Sequence, residues 1–392
     1  MKGIETLDDV CSAIVDCEHK TAPISEHGQY FATGTPAMRG NVIDYEESRP
    51  INRETFEAWT RRLRPAVGDV LLAREAPVGP VVRIPPLANT APGQRTVLLR
   101  PDPTKVDTRF LYYFLTSPLQ QARLRASAEG STVAHLNVAD IRNFKLPQFP
   151  SVSVQRAIAE VLGALDDKIA ANQAISSTTD ALVAALFSRI CVSSATSSLS
   201  GIASVNVTTV QPSPGGKLRY LDIASVGQGR YESPDLMEWN DAPSRARRAV
   251  QRGDTVWSTV RPNRRSHALV LESDPMFVAS TGLAVLTPHP GRVACLFEST
   301  RRPEFETYLE SVAEGSAYPA VNANRFEQAP VPNLEAEAWD AFESLAMPLR
   351  ERAHAAEMES DRLAVTRDAL LPLLMSGKVR VKDLEKIAEE AL

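Results

Sequence analysis

The sequence predicts an α+β fold in which a small mixed domain, followed by a long helix, occurs twice. Three observations support this fold class: the chain matches itself at a fixed shift, short β-like runs alternate with turns in both matching regions, and an apolar seam of helical spacing lies between them. With 392 residues and 43% apolar content, the chain is long enough for two or more domains that each bury a core.

The self-match continues without a gap over a long span at a shift of 185 residues, the difference between positions 68 and 253. The coinciding segments include Gly68-Asp69 on Gly253-Asp254, Thr96 on Thr281, Pro118 on Pro303, Ala128-Glu129-Gly130-Ser131 on Ala313-Glu314-Gly315-Ser316, and Asn137 on Asn322. Four consecutive identities in one gap-free register are improbable by chance. The sequence therefore predicts a tandem, pseudo-twofold internal duplication.

The two globular domains are predicted over residues 1–150 and 193–333. β-like runs bounded by proline or glycine predict mostly antiparallel strands, and in the first domain these runs are residues 70–72, 81–82 and 96–99. Aromatic and leucine residues over 109–125 predict a helix that is interrupted near Pro118. Each domain is therefore expected to be mixed α/β.

Two long helices are predicted, the central one over 151–192 and the other within the C-terminal region 334–392. Apolar residues at helical spacing form the packing seam: Ile158, Leu162, Leu165 and Ile169 in the first, and Leu363 and Leu370 in the second. Such a seam packs against the other helix or against a partner protein.

Each helix is expected to contain about 35 residues and to be roughly 50 Å long, and the pair would form an antiparallel coiled-coil spacer. Its weak points are the polar stretch 176–179, Pro348, which would start or kink a helix, and Pro372, which would bend its end.

The formal net charge is −5, and its position matters more than its size. Residues 334–392 contain eight Lys or Arg against 13 Asp or Glu, so the acidic excess belongs to the C-terminal helical region. The two globular regions are close to neutral and rich in arginine, which leaves room for local basic patches.

The four cysteines show no metal-ligand spacing, and the N-terminus has no apolar leader. We therefore expect reduced thiols, no bound metal and a cytoplasmic protein without a membrane span.

The motifs resemble the DNA-specificity (S) subunits of type I restriction-modification systems. The segments that carry this resemblance are GDVLLAREAPVG (68–79), GSTVAHLNVADIRNFKLPQFP (130–150), QRAIAEVLGALDDKIAAN (155–172), GDTVWSTVRPNRRSHALV (253–270) and DRLAVTRDALLPLLMSGKVRV (361–381). The second copy departs from the pattern at 315–332, where Ala320 replaces His135, so a role that needs this histidine in both halves is in doubt.

The resemblance implies a non-catalytic subunit in which each domain is a target-recognition domain for one half of a bipartite double-stranded DNA target. The helices would set the unread gap and dock two adenine-methyltransferase (M) subunits, and restriction/translocase (R) subunits would join where a nuclease is present. No cofactor is expected in this chain. S-adenosylmethionine, ATP and Mg²⁺ would be bound by the partner subunits.

The richest candidate for DNA contact is residues 245–265. Arginine reaches guanine with two hydrogen bonds, asparagine reaches adenine, and phosphate contacts add salt-dependent affinity. Its candidate side chains are Arg245, Arg247, Arg248, Arg261, Asn263, Arg264 and Arg265, and Arg252 completes seven arginines against one acid, Asp254. Within a duplicated architecture we favour DNA contact over a merely solvated basic edge.

The first copy offers fewer candidates in the corresponding loop. Arg74 is its one arginine, and Glu75 would orient Arg74 or accept a hydrogen bond from cytosine, unless the two form an ordinary surface ion pair. Small or hydroxyl-bearing residues in the glycine turns, together with one histidine, complete the candidates: Ser131, Thr132, His135, Ser316 and Tyr318. Asn137 and Asn322 precede short helices, where an N-cap role is favoured over base contact.

No catalytic motif is present in the sequence. An adenine methyltransferase would carry an Asn/Asp-Pro-Pro-Tyr/Phe motif, which Ile84-Pro85-Pro86-Leu87 does not match, and no phosphate-binding glycine loop precedes a lysine. Two alternatives stay open: a specificity module of a modification or phage-exclusion system without cleavage, and a stand-alone DNA nuclease whose acidic centre is not recognisable in sequence.

Overall fold

The structure, a computed structural model, describes residues 5–87, 89–128, 134–192, 194–315, 318–384 and 386. It divides into two compact units. The first unit holds the described residues up to Ala170 together with those from Asp361 onward, and the second runs from Ala171 to Ser360. Each unit mixes helix and sheet, which confirms the predicted fold class.

The first unit is built on two sheets. Its strands are β1 (Cys11–Asp16), β2 (Tyr30–Thr33), β3 (Arg49–Ile51), β4 (Val70–Arg74), β5 (Val78–Arg83), β6 (Thr90–Pro92) and β7 (Thr96–Pro101). One sheet is antiparallel with the order β1-β7-β4-β5, and the other has the order β3-β2-β6 with β2 and β6 parallel. The apolar run of β4 is buried on both faces, since Val70 and Leu72 join one core cluster and Leu71 another.

The first unit contains the helices α1 (Leu7–Val10), α2 (Arg53–Trp59), α3 (Thr108–Thr116), α4 (Pro118–Ala126) and α5 (Val138–Arg142) and the beginning of α6 (Val152–Ile190). The predicted interruption near Pro118 is confirmed. Ser117 takes an extended conformation (φ −62°, ψ 145°), because the ring of a following proline clashes with helical backbone. Asp107 caps α3 by accepting a hydrogen bond from the Phe110 N–H at 2.9 Å.

The second unit repeats this plan with a larger second sheet. Its strands are β8 (Ala195–Ser198), β9 (Ala203–Val205), β10 (Lys217–Leu221), β11 (Leu236–Glu238), β12 (Ala246–Ala249), β13 (Thr255–Ser258), β14 (His267–Leu269), β15 (Phe277–Ser280), β16 (Leu283–Pro288) and β17 (Pro330–Asn333). They form sheets of order β14-β13-β16-β9, β11-β10-β15-β12 and β17-β8. The remaining helices are α7 (Val293–Thr300), α8 (Pro303–Ser311), α9 (Ala323–Glu327) and α10 (Ala336–Met375).

The helices α6 and α10 contain 39 and 40 residues, longer than the 35 or so expected, and each would extend roughly 60 Å. α6 continues through the polar stretch 176–179. α10 begins twelve residues before Pro348, so the alternative that this proline starts the helix is wrong, and α10 continues past Pro372 to Met375.

Within each unit, a segment of α6 packs antiparallel against a segment of α10. In the second unit, the Asn172 amide donates to Glu359 at 2.9 Å, and the Ser176 hydroxyl, four residues further along α6, donates to Glu357, two residues earlier on α10. In the first unit, Arg367 donates to Asp166 at 2.8 Å. Among the described residues no helix is long and apolar enough to cross a membrane.

The two units share a set of contacts at the predicted shift of 185 residues, which we call the frame. It consists of hydrogen bonds from backbone N–H groups to an aspartate carboxylate and of short β-bridges. The Ala66 N–H donates to the Asp69 carboxylate at 2.8 Å, and the Gln251 N–H donates to that of Asp254 at 2.9 Å. Short β-bridges join Glu75 to His135 in one unit and Val260 to Ala320 in the other. The internal duplication predicted from the sequence is therefore present in the structure.

Candidate nucleic-acid interface

The candidate recognition loop is the turn after β4 together with the adjoining strand residues, 74–79, in the first unit and the loop after β13, 259–265, in the second. Arg74 and Thr259 occupy the same place in the frame, since the backbone carbonyl of each accepts from a residue near the second glycine turn, Leu136 and Val321, at 2.8 Å. Three residues, 75–77, separate β4 from β5, but eight, 259–266, separate β13 from β14. The second unit therefore presents the larger loop.

The second recognition loop is held in an unusual backbone conformation. Arg261 and Arg265 flank a short 3₁₀ turn, Pro262–Arg264, and both are left-handed, with φ of 53° and 56°. This region is uncommon for residues with a Cβ atom, so the surrounding structure must hold it in place. The Arg261 N–H donates to the Pro319 carbonyl at 2.8 Å, which ties the loop to the neighbouring turn.

The side chains of this loop are not equally available. The Arg261 guanidinium lies 4.8 Å from the ring centre of Tyr318, which is 69% exposed. Arg265 pairs with Glu306, and this hydrogen bond raises the pKa of the Arg265 guanidinium. Asn263 and Arg264 are exposed, and neither side chain has a hydrogen-bond or ion-pair partner within the described residues. These two therefore have donors free for a ligand.

The arginines before the loop differ in the same way. Arg245 is exposed, and within the described residues its side chain has no partner. Arg247 is half-buried and donates to the Ala246 carbonyl at 2.7 Å, while Arg248 is half-buried and directs its guanidinium to the Thr281 carbonyl at 3.4 Å. Burial lowers the pKa of Arg248. Arg252 pairs with Glu351 of α10. Residues 245–265 contain one acidic residue in sequence, but in the structure their arginines also pair with two acidic residues from elsewhere in the chain, Glu306 and Glu351.

In the first unit, Arg74 is largely engaged by the protein itself. Its Nε lies 3.3 Å from the Asp16 carboxylate, it donates to the Leu136 carbonyl at 3.2 Å, and 11% of its side chain is exposed. The interpretation that Glu75 orients Arg74 is wrong, because Glu75 pairs with Arg95 at 3.3 Å. The pairing of β7 with both β1 and β4 brings Asp16 to Arg74 and Arg95 to Glu75 from distant positions in the chain, which sequence spacing does not show.

The remaining candidates lie around the two glycine turns. Ser131, Thr132 and Ser316 are outside the described residues. His135 is half-buried beside the recognition loop, where its backbone forms the bridge to Glu75. The N-cap roles are confirmed: Asn137 forms a capping box with Asp140, and the Asn322 side chain accepts from the Arg325 N–H at 3.1 Å.

The helix seam is used mainly in the first unit. Ile158 and Leu162 are buried in its core together with Leu371 and Leu374, against which Leu370 also packs. Leu165, Ile169 and Leu363 are half-buried. The sequence reasoning missed the second unit's counterpart, where Val183 and Phe187 of α6 share a core with Trp339 and Phe342 of α10.

It also missed two buried polar residues on the helices. Gln155 accepts from the Asp107 N–H at 2.8 Å, and Glu343 accepts from the Ala294 and Cys295 N–H groups at 3.1 and 3.0 Å. Their positions differ by 188, the shift at which the helix sequences repeat, so α6 holds the start of α3 in the first unit and α10 holds the start of α7 in the second.

The comparisons with known proteins point in one direction. Residues 4–178 match the family model of the type I restriction modification DNA specificity domain. Two type I specificity subunits match over 68 residues: S.MgeORF438P of Mycoplasma genitalium at 34% identity and S.MpnORF638P of Mycoplasma pneumoniae at 32%. These matches cover 17% of this chain and only 17% and 18% of the relatives' lengths.

A solved structure extends the likeness to the whole fold. The crystal structure of the S subunit of a type I restriction-modification system from M. genitalium has a TM-score of 0.63 to this chain. The two are 17% identical in sequence, and the alignment covers 95% of this chain and 97% of the other. At this level of identity the likeness establishes the fold.

Proposed function

We propose, on the premise that residues 4–178 belong to the family of type I restriction modification DNA specificity domains, that the whole chain is the specificity subunit of a type I restriction-modification complex. Each unit binds one half of a bipartite double-stranded DNA target. The chain itself is non-catalytic. Methyl transfer and cleavage reside in methyltransferase and restriction subunits, which bind S-adenosylmethionine, ATP and Mg²⁺.

One observation carries this proposal: both units have the same frame, but the loops that the frame holds differ between them. The backbone bridges Glu75 to His135 and Val260 to Ala320 are equivalent, as are the aspartate carboxylates that accept a backbone N–H just before β4 and β13. The side chains that the frame presents differ, with one largely buried arginine in the first unit and free Asn263 and Arg264 in the second. A conserved scaffold with divergent polar loops suits two domains that bind different base sequences.

The long helices supply the docking surface for the methyltransferase subunits in this proposal. Several apolar side chains on them stay exposed within their own unit: Val154 (45%), Leu182 (47%), Leu345 (52%) and Val365 (71%). Apolar residues on the exposed faces of long helices are typical of helix-to-helix association.

The decisive experiment maps methylated adenines in a host that carries this chain with its methyltransferase subunit. The proposal expects modification of one asymmetric motif made of two short half-sites around a fixed unread gap. A host that carries the methyltransferase without this chain is the control and should show no such motif. A single uninterrupted motif, or identical methylation in the control, would refute the proposal.

A further inference from the structure

In both units, the segment that follows one inner strand of the second sheet, β2 in the first unit and β10 in the second, packs against the recognition loop. These flanking segments are residues 35–41 after β2 and residues 222–232 after β10. The strands β2 and β10 correspond, because they pair in the same way. β2 is parallel to β6 and antiparallel to β3, and β10 is parallel to β15 and antiparallel to β11. Neither flanking segment is part of the sequence candidates.

The flanking segment of the first unit is hydrogen-bonded at one end to its recognition loop and at the other end to strand β5. The Thr35 hydroxyl donates to the Ala76 carbonyl at 3.0 Å, and the Val81 N–H donates to the Asn41 side chain at 3.0 Å. Between these bonds lies Arg39, which is exposed and whose side chain has no partner in the described part of the chain. The next residue, Gly40, has φ of 70° and open space where a Cβ would lie.

The flanking segment of the second unit is a tight hairpin bonded to strand β14. His267 donates its N–H to the Gly227 carbonyl and accepts from the Gly229 N–H, both at 2.8 Å, and the Gln228 amide lies 3.4 Å from the Arg264 carbonyl. Arg230 closes the hairpin by accepting the Gly227 N–H at 2.9 Å. Its side chain is exposed and, among the described residues, unpartnered.

The two segments thus present the same constellation. Each places one exposed arginine next to a glycine in the left-handed region, Arg39 with Gly40 and Arg230 with Gly229, and the space beside each glycine is open. A glycine without a Cβ lets a ligand backbone approach closely. By contrast, Arg95 and Arg265, which also lie near the loops, already form ion pairs with carboxylates of the protein itself.

We propose that Arg39 and Arg230 bind DNA phosphates and fix the orientation of each recognition loop on its half-site. This inference rests on the proposed function and extends it. The recognition loops differ between the units, but the flanking arginine is common to both. A residue type shared by two domains with different base sequences fits the part of DNA that does not vary with sequence, its phosphate backbone.

The test measures DNA binding by the complex of the full chain with its methyltransferase subunit, using duplexes with the mapped motif and with a scrambled motif over a range of salt concentrations. Arg39→Ala and Arg230→Ala are each expected to weaken binding on the order of tenfold on both duplexes, because phosphate contacts carry no sequence information. Each should also reduce the slope of log affinity against log salt by about 1. Arg230→Lys keeps the charge and should keep the slope.

Two variants serve as matched controls. Arg53→Ala in the first unit and Lys217→Ala in the second also remove one exposed positive charge, but Arg53 pairs with Glu57 and Lys217 with Glu238 away from the loops. If Arg39→Ala and Arg230→Ala bind like these controls, or change the methylated motif, the inference is wrong while the proposed function stands. A wild-type complex without preference for the motif would instead refute the proposed function.

Discussion

An arginine can give its five donors to DNA only where the protein has not already used them. In the second recognition loop, Glu306 holds Arg265 and the Tyr318 ring lies against Arg261, whereas Arg264 has no side-chain partner in the part of the chain that the structure describes. Removing Arg264 should therefore affect DNA binding without disturbing the fold, and removing Arg265 should have a smaller effect on binding.

We expect Arg264→Ala to weaken binding of the cognate duplex by about 1–3 kcal/mol and to relax the half-site that we propose for the second unit, because a bidentate base contact has this value. Replacing Arg261, Arg264 and Arg265 together should abolish modification in vivo and leave assembly with the methyltransferase intact. Methylome sequencing and size-exclusion chromatography measure the two effects. Arg53→Ala is the control, and full methylation of the native motif by the triple variant would contradict the prediction.

The buried carboxylates just before β4 and β13 lead to a second prediction, which concerns stability. Asp69 and Asp254 occupy equivalent places, but Arg100 pairs with Asp69 at 2.7 Å, whereas among the described residues one oxygen of Asp254 accepts no hydrogen bond. Burial raises the pKa of Asp254 from 3.8 to about 6. The Asp254 carboxylate therefore binds its proton more tightly in the folded state than in the unfolded state.

It follows that the contribution of Asp254 to stability is present below its unfolded pKa and is lost as pH rises through its folded pKa near 6. Asp254→Asn should thus be more stable than wild type near neutral pH, by up to about 3 kcal/mol, with the difference shrinking toward pH 4. Urea unfolding of both proteins across this range measures it. Asp69→Asn, which loses its arginine pair, should be destabilised, and a pH-independent difference for Asp254→Asn would contradict the assignment.

At the scale of elements, the packing of the long helices depends on polar residues that apolar periodicity does not reveal. Ile158 and Leu162 were identifiable from their spacing, and both are buried in the first unit. The seam lapses at 176–179, yet α6 continues, because in the second unit Ser176 donates to Glu357 of α10 and Thr179 is buried. The contacts that keep this stretch helical come from a residue far away in the sequence, so only the structure shows them.

The second unit also contains an ion-pair network where the first has other residues. Arg350 of α10, 7% exposed, pairs with Asp180 of α6 at 2.5 Å and with Glu298 of α7, which is 3% exposed. The helix shift of 188 aligns Arg350 with Leu162, and the domain shift of 185 aligns Glu298 with Tyr113. A buried charge that loses its partner is costly, although a whole pair can often be replaced.

We therefore expect Arg350→Leu to lower the free energy of unfolding by about 3–5 kcal/mol, because Glu298 is left with the more distant Arg301 at 3.5 Å. The double variant Arg350→Leu with Glu298→Gln should recover part of this loss. Arg367→Leu is the control in the first unit, where the arginine is 30% exposed and should cost less. Chemical denaturation measures the free energy of unfolding of each variant. An equal decrease for the single and the double variant would contradict the prediction.

At the scale of the whole molecule, the duplication was the most predictable feature, because Gly68-Asp69 and Gly253-Asp254 are required by the frame itself. Both glycines have positive φ, 87° and 96°, and both aspartates accept a backbone N–H. The recognition surface was less predictable. Arg74 proved to be paired with Asp16, and Arg39 and Arg230 carried no sequence motif, because ion pairs and loop contacts join residues from distant parts of the chain.

The last prediction tests the hypothesis that the long helices set the unread gap in the proposed target. Removing residues 173–176 of α6 together with residues 357–360 of α10 deletes one turn from each helix at facing positions, since Ser176 donates to Glu357. Four helical residues correspond to roughly 6 Å, or about two base pairs at 3.4 Å each. We expect the methylated motif of this variant to keep both half-sites and to have a gap shorter by about two base pairs. The recognition loops are untouched, which makes the half-sites an internal control. A motif with altered half-sites and an unchanged gap would show that the helices do not determine the spacing.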